Sequence, residues 1–183
     1  AHFYLKLVGL EKFLEANMIP AATKIIDLSQ DFRLGETFDD RVFVYGLPEW
    51  QKEQIRSAGN IANPGCFATA LQLGLLPLAK EGLLADVHST GITGSTGTGE
   101  KLQATKQHSW RNNNVNAYKT HTHQHLKEIG KQLNAAGEIT FVPWRGDFTR
   151  GIFVTSYLKC NLELEAANKL YKTYYANHPF THV

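Results

Sequence analysis

The stretch Asn63-Pro64-Gly65-Cys66-Phe67-Ala68-Thr69-Ala70 decides how this chain folds. Asn-Pro-Gly punctuates the backbone, and an apolar run beginning at about Ala68 and ending at Lys80 predicts a helix directly after it. Leu71, Leu75, Leu76 and Leu78 leave that helix few polar positions, so it is expected to be buried on most sides, with Pro77 kinking or tightening it. A thiol at the amino end of a helix meets open backbone N–H groups and the positive end of the helix dipole. Both favour thiolate, the nucleophilic form of cysteine. Gly65 allows a sharp turn and leaves room beside the sulfur. The alternative for Cys66 is a buried cysteine acting as a small hydrophobe.

Upstream, Lys24-Ile25-Ile26 reads as a short buried strand running into the loop Asp27-Leu28-Ser29, the pattern of an α/β unit. A short helix is expected from Glu11 to Asn17, ended by Pro20, whereas the first ten residues carry no clear pattern. The stretch from Gly35 to Glu49 is expected to be irregular, with Tyr45-Gly46-Leu47-Pro48 as its turn. Downstream, Asp86 to Ile92 predicts a strand that pours into the glycine-rich loop Gly91 to Gly99. An amphipathic helix is predicted from about His123 to Ala136, with Leu126, Ile129 and Leu133 on one face and Gly137 as its stop. Ile139 to Pro143 and Gly151 to Cys160 read as strands, and a last helix as Glu163 to Ala176. There is no internal repeat. The class is α/β to begin with, then α+β.

The chain has 183 residues and a net charge of +2 from 19 basic and 17 acidic residues, with no long run of like charges. Nothing in that balance calls for nucleic acid or a membrane surface. The longest apolar stretch, Leu71 to Ala79, is too short to span a bilayer, and no secretory leader is read at the start. Two cysteines fit a reducing, cytoplasmic setting rather than a disulfide framework, and Cys160 at a strand end reads as structural.

Other constellations stand near this nucleophile. His121, His123 and His125 lie within five residues, and a thiolate nucleophile is usually paired with an imidazole. The same three histidines suggest a metal site, for which a fourth ligand is missing in the neighbouring sequence, or a solvated turn. Gly91, Gly94 and Gly97 imitate a dinucleotide fingerprint, and Gly94 to Lys101 a P-loop. Glu100 stands where a P-loop needs lysine, and no suitable acidic strand follows for the other motif. What survives is a flexible backbone with Ser95, Thr96 and Thr98 hydroxyls, suited to close approach by a phosphate or a nicotinamide ring. A plain surface loop is the alternative. Arg145 and Arg150 flank Gly146-Asp147-Phe148-Thr149, and arginine is a good carboxylate and phosphate clamp.

In order, the segments Asp27 to Arg33, Tyr45 to Glu49, Asn63 to Ala70, the glycine loop, His123-Gln124-His125-Leu126-Lys127-Glu128-Ile129 and Arg150-Gly151-Ile152 make a distinctive series. It resembles the N-acetyl-gamma-glutamyl-phosphate reductase family of arginine biosynthesis, relatives of aspartate-semialdehyde dehydrogenase, over about Phe13 to Val183. The resemblance implies a Rossmann-type NADP domain, represented by residues 1–62, followed by a glyceraldehyde-3-phosphate-dehydrogenase-like catalytic domain over residues 63–183. It further implies an NADP-dependent reduction of an acyl phosphate through a cysteine thioester, in a cytoplasmic homo-oligomer acting on a small molecule. The family's nucleophile falls on Cys66 and its histidine pair on His123 and His125, the first as acid/base and the second orienting substrate. Arg150 would hold the substrate carboxylate with Asn63 nearby, and Gly94, Ser95, Gly97 and Gly99 would lie near the nicotinamide. No metal is implied. The family's opening Gly-x-x-Gly-x-x-Gly turn has no counterpart here, so an incomplete catalytic fold is expected. A non-redox cysteine acyltransferase or hydrolase, and a histidine-rich metal-binding module, are the rival readings.

Overall fold

The computed structural model describes the backbone of residues 3–6 and residues 9–98, 108–134 and 137–183. The chain divides into two compact units, Ala1–Gly65 with Tyr175–His182, and Cys66–Tyr174 with Val183.

The first unit contains β1 (Phe3–Lys6), α1 (Leu10–Glu15), β2 (Lys24–Asp27), β3 (Thr37–Phe38), β4 (Arg41–Tyr45), α2 (Pro48–Ser57) and β5 (Asn60–Ala62). Its sheet runs β1-β2-β5-β4-β3. β1, β2, β5 and β4 are parallel, and β3 pairs antiparallel with β4. Ala62 of the middle strand stands opposite both Asp27 and Tyr45, so the three carboxyl ends lie side by side. Leu10, Leu14, Ile25, Phe32 and Phe43 form the core, with the Phe32 and Phe43 rings stacked at 4.1 Å. Arg41 closes the opposite end of β4, donating to the Pro20, Ala21 and Thr23 carbonyls and to Asn60 Oδ1. Asp27 is fully buried and accepts from the Ser29 N–H and hydroxyl, both at 2.8 Å. Burial nevertheless holds its carboxyl above the usual carboxylate range.

Two expectations are corrected in this unit. Gly35 to Glu49 is not irregular, because Arg41-Val42-Phe43-Val44-Tyr45 alternates and buries Phe43 and Tyr45 as β4. Within the first ten residues, Phe3–Lys6 forms an edge strand in register with β2.

The second unit contains α3 (Cys66–Lys80), β6 (Val87–Thr93), α4 (His108–Arg111), β7 (Asn116–Ala117), α5 (His125–Leu133), β8 (Ile139–Arg145), β9 (Ile152–Leu158) and α6 (Leu164–Tyr175). The sheet order is β7-β8-β6-β9, with β6 and β8 parallel and the other pairings antiparallel. Phe141 in β8 meets Phe67 of α3 edge-on at 5.0 Å. Gly91 in β6 makes that contact possible, since a Cβ there would stand 2.7 Å from the Phe67 ring. α3 also packs against α5. The apolar run therefore folds as read, but the helix starts at Cys66 itself rather than two residues later. α5 begins at His125, not His123, and Asn134 caps its end in the left-handed conformation at φ 46°.

The other face of this sheet carries Ile92, Val142, Trp144, Phe153 and Tyr157. Phe153 and Tyr157 on the edge strand β9 are 68% and 64% exposed. No helix among the described residues is long and apolar enough to cross a membrane.

Candidate active site

Cys66 is the first residue of α3, and its side chain is exposed. The fold thus gives the thiol the helix-terminus position that the Pro-Gly step predicts, at the positive end of the helix dipole. Phe67 turns the other way into the core, where it is 1% exposed.

His123 packs in the same aromatic nest. Its ring lies edge-on to Phe67 at 5.9 Å, to Phe141 at 5.8 Å and to Tyr118 at 5.7 Å. It is 5% exposed, and its pKa falls to about 4, first through burial and then through the nearby His125, Lys119 and Arg145 charges. At neutral pH this imidazole is uncharged. The His125 backbone N–H donates to His123 Nδ1 at 3.3 Å, which leaves the proton of the neutral ring on Nε2. His125, with its ring 4.5 Å from that of His123, opens α5 and sets Nε2 3.8 Å from Glu128 Oε1 one turn along, both nearly buried.

Tyr118 links these groups to a cation. The Arg145 guanidinium lies 4.3 Å from the centre of the Tyr118 ring, and Tyr118 feels the charges of both Arg145 and Cys66. Burial, acting against Arg145, raises the Tyr118 phenol above its ordinary value. Lys119 and His121, in the turn that leads to His123, hold left-handed backbone at φ 45° and 56°.

The remaining predicted residues form a second grouping. Arg150 is exposed, and its backbone packs against Gly94, where a Cβ would meet Arg150 N at 2.7 Å. The loop is pinned rather than open: Gly94, Ser95 and Thr96 N–H donate to the carbonyls of Gly151, Phe148 and Thr149, and Gly97 N–H donates to Gly94. These bonds already engage the four amides, in keeping with the rejection of a phosphate-binding P-loop or dinucleotide turn here. Gly99 lies outside the described residues. Asn63, in the first unit, is tied through its backbone N–H to the Asp27 carbonyl at 2.8 Å. Among the described residues no three His, Cys, Asp or Glu side chains are placed to hold a metal ion.

Sequence reasoning singled out Arg145 as a clamp but missed Tyr118 beside it and the pairing of Glu128 with His125. Glu128 was signalled by its i, i+3 spacing from His125. Tyr118 and Arg145 reach the histidines only through sheet pairing, which places Tyr118 N–H on the Pro143 carbonyl.

Residues 66–183 match the family model described as semialdehyde dehydrogenase, dimerisation domain. The chain belongs to the semialdehyde dehydrogenase family. Within that family it is 53% identical over 175 residues to N-acetyl-gamma-glutamyl-phosphate reductase of Azobacteroides pseudotrichonymphae, covering 94% of this chain and 54% of that protein. It is 51% identical over 177 residues to the protein of the same name from Christiangramia forsetii, covering 93% and 54%. The chain thus spans about half the length of the curated relatives it matches. Among solved members of the semialdehyde dehydrogenase fold, aspartate semialdehyde dehydrogenase II from Vibrio cholerae superposes with a TM-score of 0.68 at 15% identity, covering 92% of this chain and 58% of that one. The Candida albicans aspartate semialdehyde dehydrogenase solved with NADP gives 0.63 at 11% identity, covering 96% and 55%.

Proposed function

We propose that this chain is the acyl-transfer centre of an N-acetyl-gamma-glutamyl-phosphate reductase of arginine biosynthesis, with Cys66 as nucleophile. The observation that carries this reading is the joint placement of Cys66 at the start of α3 and of His123 against the neighbouring Phe67 ring. The helix terminus favours the thiolate, which attacks the acyl-phosphate carbonyl to give a thioester. The positive end of the α3 dipole is suited to the oxyanion that develops during the attack. His123, neutral and protonated on Nε2, offers a hydrogen bond to that oxygen or to the sulfur. Glu128 fixes the ring of His125 for substrate orientation. A bound nicotinamide cofactor, NADP by likeness to the family, would supply the hydride for reduction of the thioester. The pinned amides of residues 94–97 do not fit its phosphates, so no cofactor step is assigned to them.

The parallel sheet of the first unit supports reading residues 1–62 as the end of the dinucleotide-binding domain and residues 63–183 as the catalytic domain. The test is made on the complete protein, incubated with N-acetylglutamate 5-semialdehyde, NADP and inorganic phosphate. NADPH formation that requires phosphate is expected. Semialdehyde consumption without NADPH, or thioester hydrolysis alone, would favour the non-redox acyltransferase reading.

The open sheet face supports a homodimer formed face to face, in keeping with the description of the matching family model. Charging it with Phe153→Glu and Tyr157→Lys is expected to convert a dimer to monomer in light scattering. An unchanged mass for the folded double variant would move the interface elsewhere.

A further inference from the structure

We infer that Arg145, braced on Tyr118 and backed by Arg111, receives the phosphate group that leaves the acyl phosphate and re-enters in the reverse direction. This inference rests on the acyl-phosphate reading above and assigns a subsite within it.

Arg145 is the last residue of β8, at the carboxyl end of two parallel strands, opposite Thr93 of β6 and Asn116 of β7. Ligands of open α/β sheets gather at such ends. Its side chain belongs to the face that carries Phe141, and it lies over Tyr118, which is in the field of Cys66. Arg145 also acts on His123. The guanidinium is thus joined to the imidazole through one ring, since Tyr118 meets His123 edge-on at 5.7 Å. Its Nε is buried and meets no hydrogen-bond acceptor among the described residues. Arg111 stands behind it, 2% exposed, donating from Nη1 to Asn116 Oδ1 at 3.0 Å and to the Arg145 carbonyl at 3.4 Å.

Two guanidinium groups packed together repel, and Arg111 is held below its ordinary pKa by burial and by Arg145. A dianion beside Arg145 relieves that repulsion more fully than a single carboxylate does. Lys119, whose charge also reaches His123, adds to the positive field. Arg150, the arginine expected to act as clamp, is exposed, and its backbone packs against Gly94 of the glycine loop.

The chemistry balances as follows. The Cys66 sulfur forms an S–C bond with the acyl carbon as the C–O bond to phosphate breaks. The electron pair of that bond leaves on the phosphate oxygen, and the proton lost by the thiol ends on the phosphate, which departs as hydrogen phosphate. Arg145 holds the charge that collects there.

In the complete protein, with semialdehyde and NADP saturating and phosphate varied, Arg145→Gln is expected to raise KM for phosphate at least tenfold. KM for the semialdehyde should stay within about threefold, and Arg145→Lys should recover part of the loss, because it keeps the charge but not the fork. A second readout needs no turnover: millimolar phosphate should slow iodoacetamide alkylation of Cys66, followed on its own peptide with Cys160 as internal reference, and Arg145→Gln should abolish that protection. An unchanged phosphate KM in a folded variant overturns the assignment. So does a rise in semialdehyde KM alone, which would give Arg145 to the substrate carboxylate. Should the unmodified protein fail to oxidise the semialdehyde at any phosphate concentration, the reductase reading falls, and loss of protection in Arg145→Gln would still establish the anion site.

Discussion

Cys66→Ala is expected to reduce phosphate-dependent NADPH formation by more than about 10³-fold while leaving the unfolding midpoint nearly unchanged. Removing a covalent nucleophile eliminates the acyl-enzyme route altogether, and what remains is binding and electrostatic assistance to water. The stability half of this prediction follows from burial. The Cys66 side chain faces solvent, so its loss opens no cavity, whereas its neighbour Phe67 fills the core. Cys66→Ser separates the two sources of catalysis, because a hydroxyl at a helix terminus keeps the hydrogen-bonding geometry but is not ionised at neutral pH. Its activity should resemble that of Cys66→Ala. Mass spectrometry of the native protein mixed with acyl phosphate, without reductant, should find the acyl group on the Cys66 peptide. An active Cys66→Ala, or acylation of Cys160 instead, would remove Cys66 from the mechanism.

The second large effect belongs to His123, and it has a pH signature. Its folded pKa of about 4 lies below the ordinary 6.5, so the unfolded chain takes up this proton first as pH falls. The stabilisation is therefore complete above about pH 6.5, is lost progressively between 6.5 and 4, and changes no further below that. The full difference is on the order of 3 kcal/mol for a shift of this size. Denaturant titrations at pH 7, 5.5 and 4 should show that decline, and His123→Ala should flatten it. Activity tells the same story from the other side. A ring that stays neutral to about pH 4 contributes no inflection near 6.5 to kcat/KM, and its loss should reduce kcat/KM by about 10²- to 10⁴-fold. An NMR titration placing His123 at its ordinary value would remove both expectations.

How far these features could be read from residues alone follows the range of the interactions. The nucleophile was legible because a helix start is local: Pro64-Gly65 before an apolar run forces the first turn at Cys66. His125 and Glu128 share one turn of α5, so their pairing was equally accessible, though it went unread. β4 was obscured by its flanks, since Gly35, Gly46 and Pro48 suggested turns on either side of a stretch that alternates. Arg145 was offered as a clamp, but its contact with Tyr118 was beyond local reading. Arg145 and Tyr118 stand 27 residues apart and meet only because β7 pairs antiparallel with β8, a non-local register that spacing does not encode. The packing of the glycine loop was out of reach for the same reason. Gly94 is required by the backbone of Arg150, far along the chain.

The space left by Gly91 carries a consequence for how such a protein can change over generations. Phe67 and Phe141 share that space, and both rings also wall in His123. The nucleophile's helix and the imidazole's socket are thus cut from one block of side chains. A substitution that suits one catalytic group disturbs the other, and a larger residue at Gly91 demands a smaller partner across the gap. Lineages would be expected to move these positions together or not at all, inheriting the thiol and the imidazole as a single mechanical part.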